Sequence, residues 1–148
     1  GELAKEHGCE YIINYKEENV SKKVMEITNN EGVQVVYDGV GRDTFLESIN
    51  SLSVRGLLVS FGQSSGMVDK LDLHQIFNPK SLFYTRPNLM NYTLNNEELK
   101  ECSNKLFEKM RIGEIKSNIF KKIKLEEAQK AHEILQSRKS FGSIILEP

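Results

Sequence analysis

Apolar residues along the chain switch between a period of two and a period near four, and the switches divide it into short alternating elements. Glu2 to His7 reads as the tail of a helix that begins before Gly1, with Gly8 as its stop. "YIINY" (Tyr11–Tyr15) is aromatic and β-branched, which predicts a strand. Val20, Val24 and Ile27 fall on one helical face, and "NNEG" ends that helix. "VQVVYD" (Val33–Asp38) predicts the next strand. It is followed by a glycine turn and a helix marked by Phe45, Ile49 and Leu52, with Thr44 and Glu47 spaced as a capping box.

"RGLLVSFG" (Arg55 to Gly62) is nearly continuous in apolar residues, as in a strand covered on both faces. A short helix near "LHQIF" and a strand in "SLFYTRP" (Ser81 to Pro87) follow, because the residue before proline prefers extended backbone. Asn95 or Asn96 caps a helix carrying Leu99, Cys102, Leu106 and Met110. A strand around Ile119, Lys121 and Ile123, a helix from Leu125 to Leu135 and a terminal strand in "GSIILEP" complete the chain. Strands alternating with helices at this spacing predict βαβ units and a parallel sheet, an α/β fold.

Twenty basic and 21 acidic residues among 148 give a net charge of −1, so no excess charge draws the chain to nucleic acid or an anionic membrane. No apolar run approaches the length of a membrane span. Cys9 and Cys102 lie far apart in sequence, with no metal-ligand spacing around them. The expectation is a reduced, cytoplasmic protein without a disulfide framework or a metal site. His7, His74 and His132 read as surface or structural histidines, and the lysines around Lys121 as a solvated edge.

The turn "YDGVGRDTF" raises the chemical question. Gly39-Val40-Gly41 matches the first two glycines of a dinucleotide fingerprint, but Thr44 stands at the third. No acidic residue closes the following strand, which ends Ser60-Phe61-Gly62-Gln63, and Asp38 and Asp43 bring negative charge to the turn. This is therefore not a pyrophosphate-binding turn. Two successive strand ends, "DGVG" and "FGQS", are nevertheless small and polar. In open parallel sheets, ligands lie outside such ends. Glycines that leave backbone amides and carbonyls free there would suit a flat ring; glycines that only permit tight turns are the alternative.

"INYKEE", "YDGVGRDTF", "SFGQSSG", "SLFYTRPNL" and "AHEILQSRKSFGSIIL" together resemble the zinc-independent quinone oxidoreductases, the zeta-crystallin-like branch of the medium-chain dehydrogenase/reductases. The resemblance covers only the C-terminal half of such an enzyme. It implies an incomplete Rossmann-type doubly wound parallel sheet over residues 1–112, lacking its first strands and glycine-rich turn. Residues 113–148 would be a helix and strand that return to an absent catalytic domain. The implied activity is transfer of reducing equivalents from NADPH to a quinone or related conjugated carbonyl, with this fragment alone inactive. An enoyl-thioester or alkenal reductase, and a non-catalytic crystallin-like dinucleotide-binding protein, are the alternatives.

The resemblance assigns cofactor contacts to Tyr15, Gly39, Phe61, Gly62, Gln63, Ser64, Phe83, Tyr84, Thr85, Arg86 and Arg138. Tyr15 would meet the adenosine ribose and 2′-phosphate, favouring NADPH. Gly39 stands where relatives often carry Ser, and Gln63 where Asn is frequent. Phe61 to Ser64 would border the nicotinamide, the Phe83–Arg86 backbone its carboxamide, and Arg138 the phosphates. Tyr15 as a packed aromatic and Arg138 as a solvated helix-end arginine stay open. No catalytic acid, base or nucleophile is implied in this half. The family also implies a homodimer paired through the Ser81–Pro87 strand.

Overall fold

A computed structural model describes residues 1–137 and 139–148, in two compact units, Gly1–Asn91 and Tyr92–Pro148. The first unit runs α1 (Glu2–Glu6), α2 (Val20–Ile27), β1 (Val33–Asp38), α3 (Phe45–Ser51), β2 (Leu52–Ser60), α4 (Leu73–Phe77) and β3 (Phe83–Thr85). Its sheet is parallel in the order β1-β2-β3, with Asp38 opposite Ser60 and Leu58 opposite Tyr84. Parallel pairing follows from the intervening helices, since each strand must cross back before it can pair again.

The core lies where α3 meets the central strand. Phe45, Ile49, Leu52 and Leu58 are buried together, with Val36, Ile76, Phe77 and Leu82 packed around them. Tyr84 turns its ring edge toward Phe45 and Phe77, at centroid distances of 6.5 and 6.0 Å. The apolar run of β2 is buried at its end on both faces, as its composition requires. Lys80 bonds the Asn50 and Leu52 carbonyls at 3.0 and 2.5 Å, tying the segment before β3 to the α3–β2 junction, and burial lowers its pKa.

Three expectations need correction. Tyr11–Tyr15 forms no strand. A strand exists only through ladder bonds, and here the segment finds no neighbour in the sheet, leaving Tyr11 and Tyr15 largely exposed. Leu52 does not extend the α3 face but opens β2, opposite Val33, and is fully buried there. The register then shifts between Val33 and Val35. The third is the capping box: Thr44 makes no side-chain cap to α3, and Glu47 reaches α2 instead.

The second unit contains α5 (Asn96–Arg111), β4 (Ile119–Lys124), α6 (Ala128–Gln136) and β5 (Ser143–Glu147), with β4 and β5 paired in parallel. Asn95 caps α5 by accepting from the Glu98 N–H at 2.9 Å. Ile123 and Ala131 are its buried apolar residues, and Phe120 meets Phe141 edge-on at 5.1 Å. Among the described residues no helix is long and apolar enough to cross a membrane.

Candidate functional site

Two turns at the carboxyl ends of β1 and β2 are packed directly on one another. A Cβ added to Gly62 would lie 2.4 Å from the Gly39 carbonyl oxygen, and one added to Gly41 would lie 2.8 Å from that of Gly66. Both glycines are therefore required by the protein's own backbone contacts. At Gly41, φ of +90° adds a second reason, since L side chains avoid that region.

Hydrogen bonds stitch the turns together. Phe61 and Gly62 donate their N–H groups to the Asp38 carbonyl at 2.9 and 3.3 Å, Ser64 to that of Gly39 at 3.4 Å, and Ser65 to that of Val40 at 2.9 Å. The Ser65 hydroxyl donates to the Val40 carbonyl at 2.8 Å and accepts from the Asp43 N–H at 3.1 Å. Backbone amides that the strand ends were expected to leave free are thus engaged between the turns. The two turns therefore present backbone engaged with itself rather than a row of open donors.

Asp38 holds this arrangement from below, a role masked in the sequence because its charge there only disfavours phosphate. It is 5% exposed. Its carboxylate accepts from Val40 N at 2.8 Å, Gly41 N at 3.0 Å, the Thr44 hydroxyl at 2.9 Å and the Ser48 hydroxyl at 2.7 Å. Burial pushes its pKa up, but the bonds from Gly41, Ser48, Val40 and Thr44 outweigh it and hold the carboxyl below the usual range. The signal is present in the sequence: a strand-terminal Asp, then Gly, Val and Gly, with Thr and Ser six and ten residues on.

Of the residues assigned by resemblance, Gly39, Phe61, Gly62, Gln63, Ser64 and Arg86 come together at the strand ends. The Phe61 ring lies over Gly39, whose added Cβ would sit 2.9 Å from Phe61 Cζ, so a Ser at this position would displace the ring. Arg86 extends from the end of β3 to the Ser60 carbonyl at 3.3 Å and to Gln63 Oε1 at 2.8 Å. That last bond uses the reach of a glutamine. Phe61 and Arg86 line a cavity of about 470 Å³ with Pro87, Asn88 and Leu89. Tyr84 and Arg86 also line a smaller one of about 200 Å³ beneath the Gly62–Val68 loop. Phe83 and Thr85 alternate with Tyr84 along β3, Phe83 being exposed.

Tyr15 meets this cluster only at Gly39, across a cavity. It sits in a turn before α2 and lines a cavity of about 420 Å³ with Asn19, Tyr37, Gly39 and Glu47. Glu18, Asp38 and Asp43 also line that cavity, with no basic side chain among the described residues, so charge from these does not draw a phosphate into it. Glu47 accepts from Ser21 N at 2.8 Å and Asn19 Nδ2 at 3.1 Å, clamping α2 to α3 beside Tyr15. Arg138 lies outside the described residues.

Known proteins resemble this chain over nearly its whole length. The family model described as zinc-binding dehydrogenase matches residues 7–146. Quinone oxidoreductase 1 of Escherichia coli is 46% identical over 143 residues, 95% of this chain and 44% of that protein. A 2-haloacrylate reductase of a Burkholderia species is 38% identical over 148 residues, 99% of this chain and 44% of its own. The crystal structure of E. coli quinone oxidoreductase complexed with NADPH superposes with a TM-score of 0.92 at 47% identity, covering 99% of this chain and 46% of that one. The chain thus spans less than half the length of the relatives it matches.

The family description mentions zinc, but among the described residues no group of three or more His, Cys, Asp and Glu could hold a metal ion. Cys9 and Cys102 are exposed free thiols in different units. With a family match across nearly all its residues, the chain belongs to the zinc-binding dehydrogenases, where its resemblance is to the C-terminal half of the quinone oxidoreductases.

Proposed function

We propose that this chain is the cofactor-side portion of an NADPH-dependent oxidoreductase that reduces a quinone or related conjugated carbonyl. The observation that carries the reading is the platform at the ends of β1 and β2, where the backbones of Gly39 and Gly62 meet and the Phe61 ring lies over Gly39. A planar ring can lie against such a surface, outside the carboxyl ends of a parallel sheet. Bound NADPH would supply the hydride; the protein supplies position and a shaped surface.

Gly39, Gly62, Gln63 and Ser64 form the surface in this reading, the Phe61 ring covers its Gly39 end, and Arg86 braces it from β3. The backbone from Phe83 to Arg86 borders the carboxamide. Tyr15 offers its hydroxyl toward the adenosine end, and Arg138 the phosphates. Residues 1–112 are the dinucleotide-binding part and 113–148 the return to a catalytic domain carried by the rest of a longer protein. The protein is read as cytoplasmic, consistent with two free thiols.

A homodimer through β3 belongs to the same reading. β3 is an edge of the sheet, and Phe83 beside that edge is 61% exposed. An unguarded apolar edge is a pairing surface. A conjugated-acid or enoyl acceptor is the second reading, favoured by the comparable match to a 2-haloacrylate reductase.

The test is steady-state NADPH oxidation by the full-length protein with soluble quinones, enoyl thioesters and 2-haloacrylates as acceptors. Turnover on quinones above the other classes is the expected result. Absence of NADPH oxidation with every acceptor would overturn the enzymatic reading.

A further inference from the structure

We infer that Asp38 is the positioning residue of the strand-end platform, holding both turns in the geometry on which hydride transfer depends. The inference rests on the oxidoreductase reading and adds to it a residue whose carboxylate is engaged by the protein's own donors.

Asp38 acts on the two turns through different atoms. Its carboxylate gathers the Val40 and Gly41 N–H groups of the first turn and ties them to Thr44 and Ser48 of α3. Its main-chain carbonyl receives the Phe61 and Gly62 N–H groups of the second. A shift at residue 38 must move Gly39, and Gly39 cannot move alone, because Gly62 lies against its carbonyl and the Phe61 ring against its Cα. Every side-chain donor to the carboxylate is neutral, and among the described residues no cation forms an ion pair with it. The charge is held by directed hydrogen bonds, which constrain the geometry more tightly than a mobile counterion would.

The same inventory separates the effect of charge from that of position. An Asn at 38 keeps one oxygen for the Val40 and Gly41 amides and turns its NH₂ toward Thr44 and Ser48, whose hydroxyls can rotate to accept. An Ala offers neither. If position is the role, the Asn variant works and the Ala variant does not.

The experiment compares D38A, D38N and S51A in the full-length protein by NADPH oxidation with a soluble quinone. Ser51 is buried and donates to the Glu47 carbonyl at 2.7 Å, away from both turns, so S51A controls for loss of stability alone. D38A is expected to lower kcat by about tenfold or more while KM for NADPH moves by less than about threefold, the signature of misplaced reacting groups. D38N and S51A should stay within about threefold of wild-type kcat. Wild-type kcat in D38A, or D38N as impaired as D38A, overturns the inference. If D38A does not fold, T44V/S48A removes the two hydroxyl donors and leaves the backbone bonds. It should lower kcat by about threefold or more, and an unchanged kcat overturns the inference.

A second readout needs no turnover. Amide exchange at Val40 and Gly41 and at Phe61 and Gly62 should rise together in D38A, or in T44V/S48A in its place. Exchange unchanged at Phe61 and Gly62 overturns the inference. A wild-type protein inactive on every acceptor would sink the oxidoreductase reading instead, leaving exchange to decide whether Asp38 positions the two turns.

Discussion

Replacing Gly62 with Ala tests whether the two strand-end turns are in backbone contact. The added Cβ would lie 2.4 Å from the Gly39 oxygen and 2.9 Å from its carbonyl carbon and Cα. All three are backbone atoms, so no side chain can swing aside, and the turns must part by more than about 1 Å to reach ordinary contact. That movement strains the Gly62 and Ser64 bonds to the Asp38 and Gly39 carbonyls, already 3.3 and 3.4 Å long. Overpacking costs about 1–3 kcal/mol, and each lost backbone bond about 1 kcal/mol. Lower chain entropy in the unfolded state returns about 0.4–1 kcal/mol. The net expectation is a loss of about 2–4 kcal/mol, read as a fall in urea midpoint at unchanged slope. Gly8 is the control, with φ of +92° and nothing within 4 Å of an added Cβ. Gly8→Ala should cost only the left-handed backbone term, about 1–2 kcal/mol, or less at a fraying terminus. If Gly62→Ala destabilises no more than Gly8→Ala, the turns are not packed as described and the platform argument fails.

Lys80→Met should cost about 1–3 kcal/mol in urea unfolding, because two carbonyls at the α3–β2 junction lose a charged donor; a neutral substitution would mean that solvent satisfies them. Asp38, its folded pKa lowered, contributes stability above the unfolded carboxyl value, and that contribution is lost as pH falls through the folded pKa. The stability gap between wild type and D38N should therefore be full near neutral pH and shrink below about pH 4; a gap constant from neutral pH down to about pH 3 would contradict the direction of the shift. Phe83→Lys places a charge on the β3 edge and should yield monomers in sedimentation equilibrium with unchanged circular dichroism; a persistent dimer removes this strand from the interface. In the acidic Tyr15 cavity only hydrogen bonding, not charge, can favour the 2′-phosphate. Tyr15→Ala in the full-length protein, which removes the phenol donor, should therefore weaken NADPH binding by about 1–2 kcal/mol and NADH binding less, with titration calorimetry as the measure and equal losses as the refuting result.

The local pattern was enough for elements whose causes are local. "VQVVYD" is β1 from Val33 to Asp38, and Asn95 caps α5 with its own side chain. Asn29 and Asn30 leave α2 with positive φ, as a polar helix end allows. The continuous apolar run of β2 announced a strand covered on both faces, and the parallel sheet followed from the alternation of helices and strands.

Tertiary structure decided whatever depends on a distant partner. "YIINY" has the composition of a strand but no ladder neighbour, so it remains unpaired. Glu47 has the spacing of a capping box, but the N-terminus of α2 lies within its reach and takes its carboxylate. Leu52 has helical spacing, but Val33 stands opposite it and draws it into β2. The strand-end amides looked free because a sequence does not show that a second turn, more than twenty residues on, lies against the first. Asp38 looked like an unfavourable charge for the same reason: the donors that satisfy it converge only when β1, its turn and α3 fold against one another. Short-range preference selects an element, whereas the fate of a polar group depends on which donors and acceptors folding brings within hydrogen-bond distance.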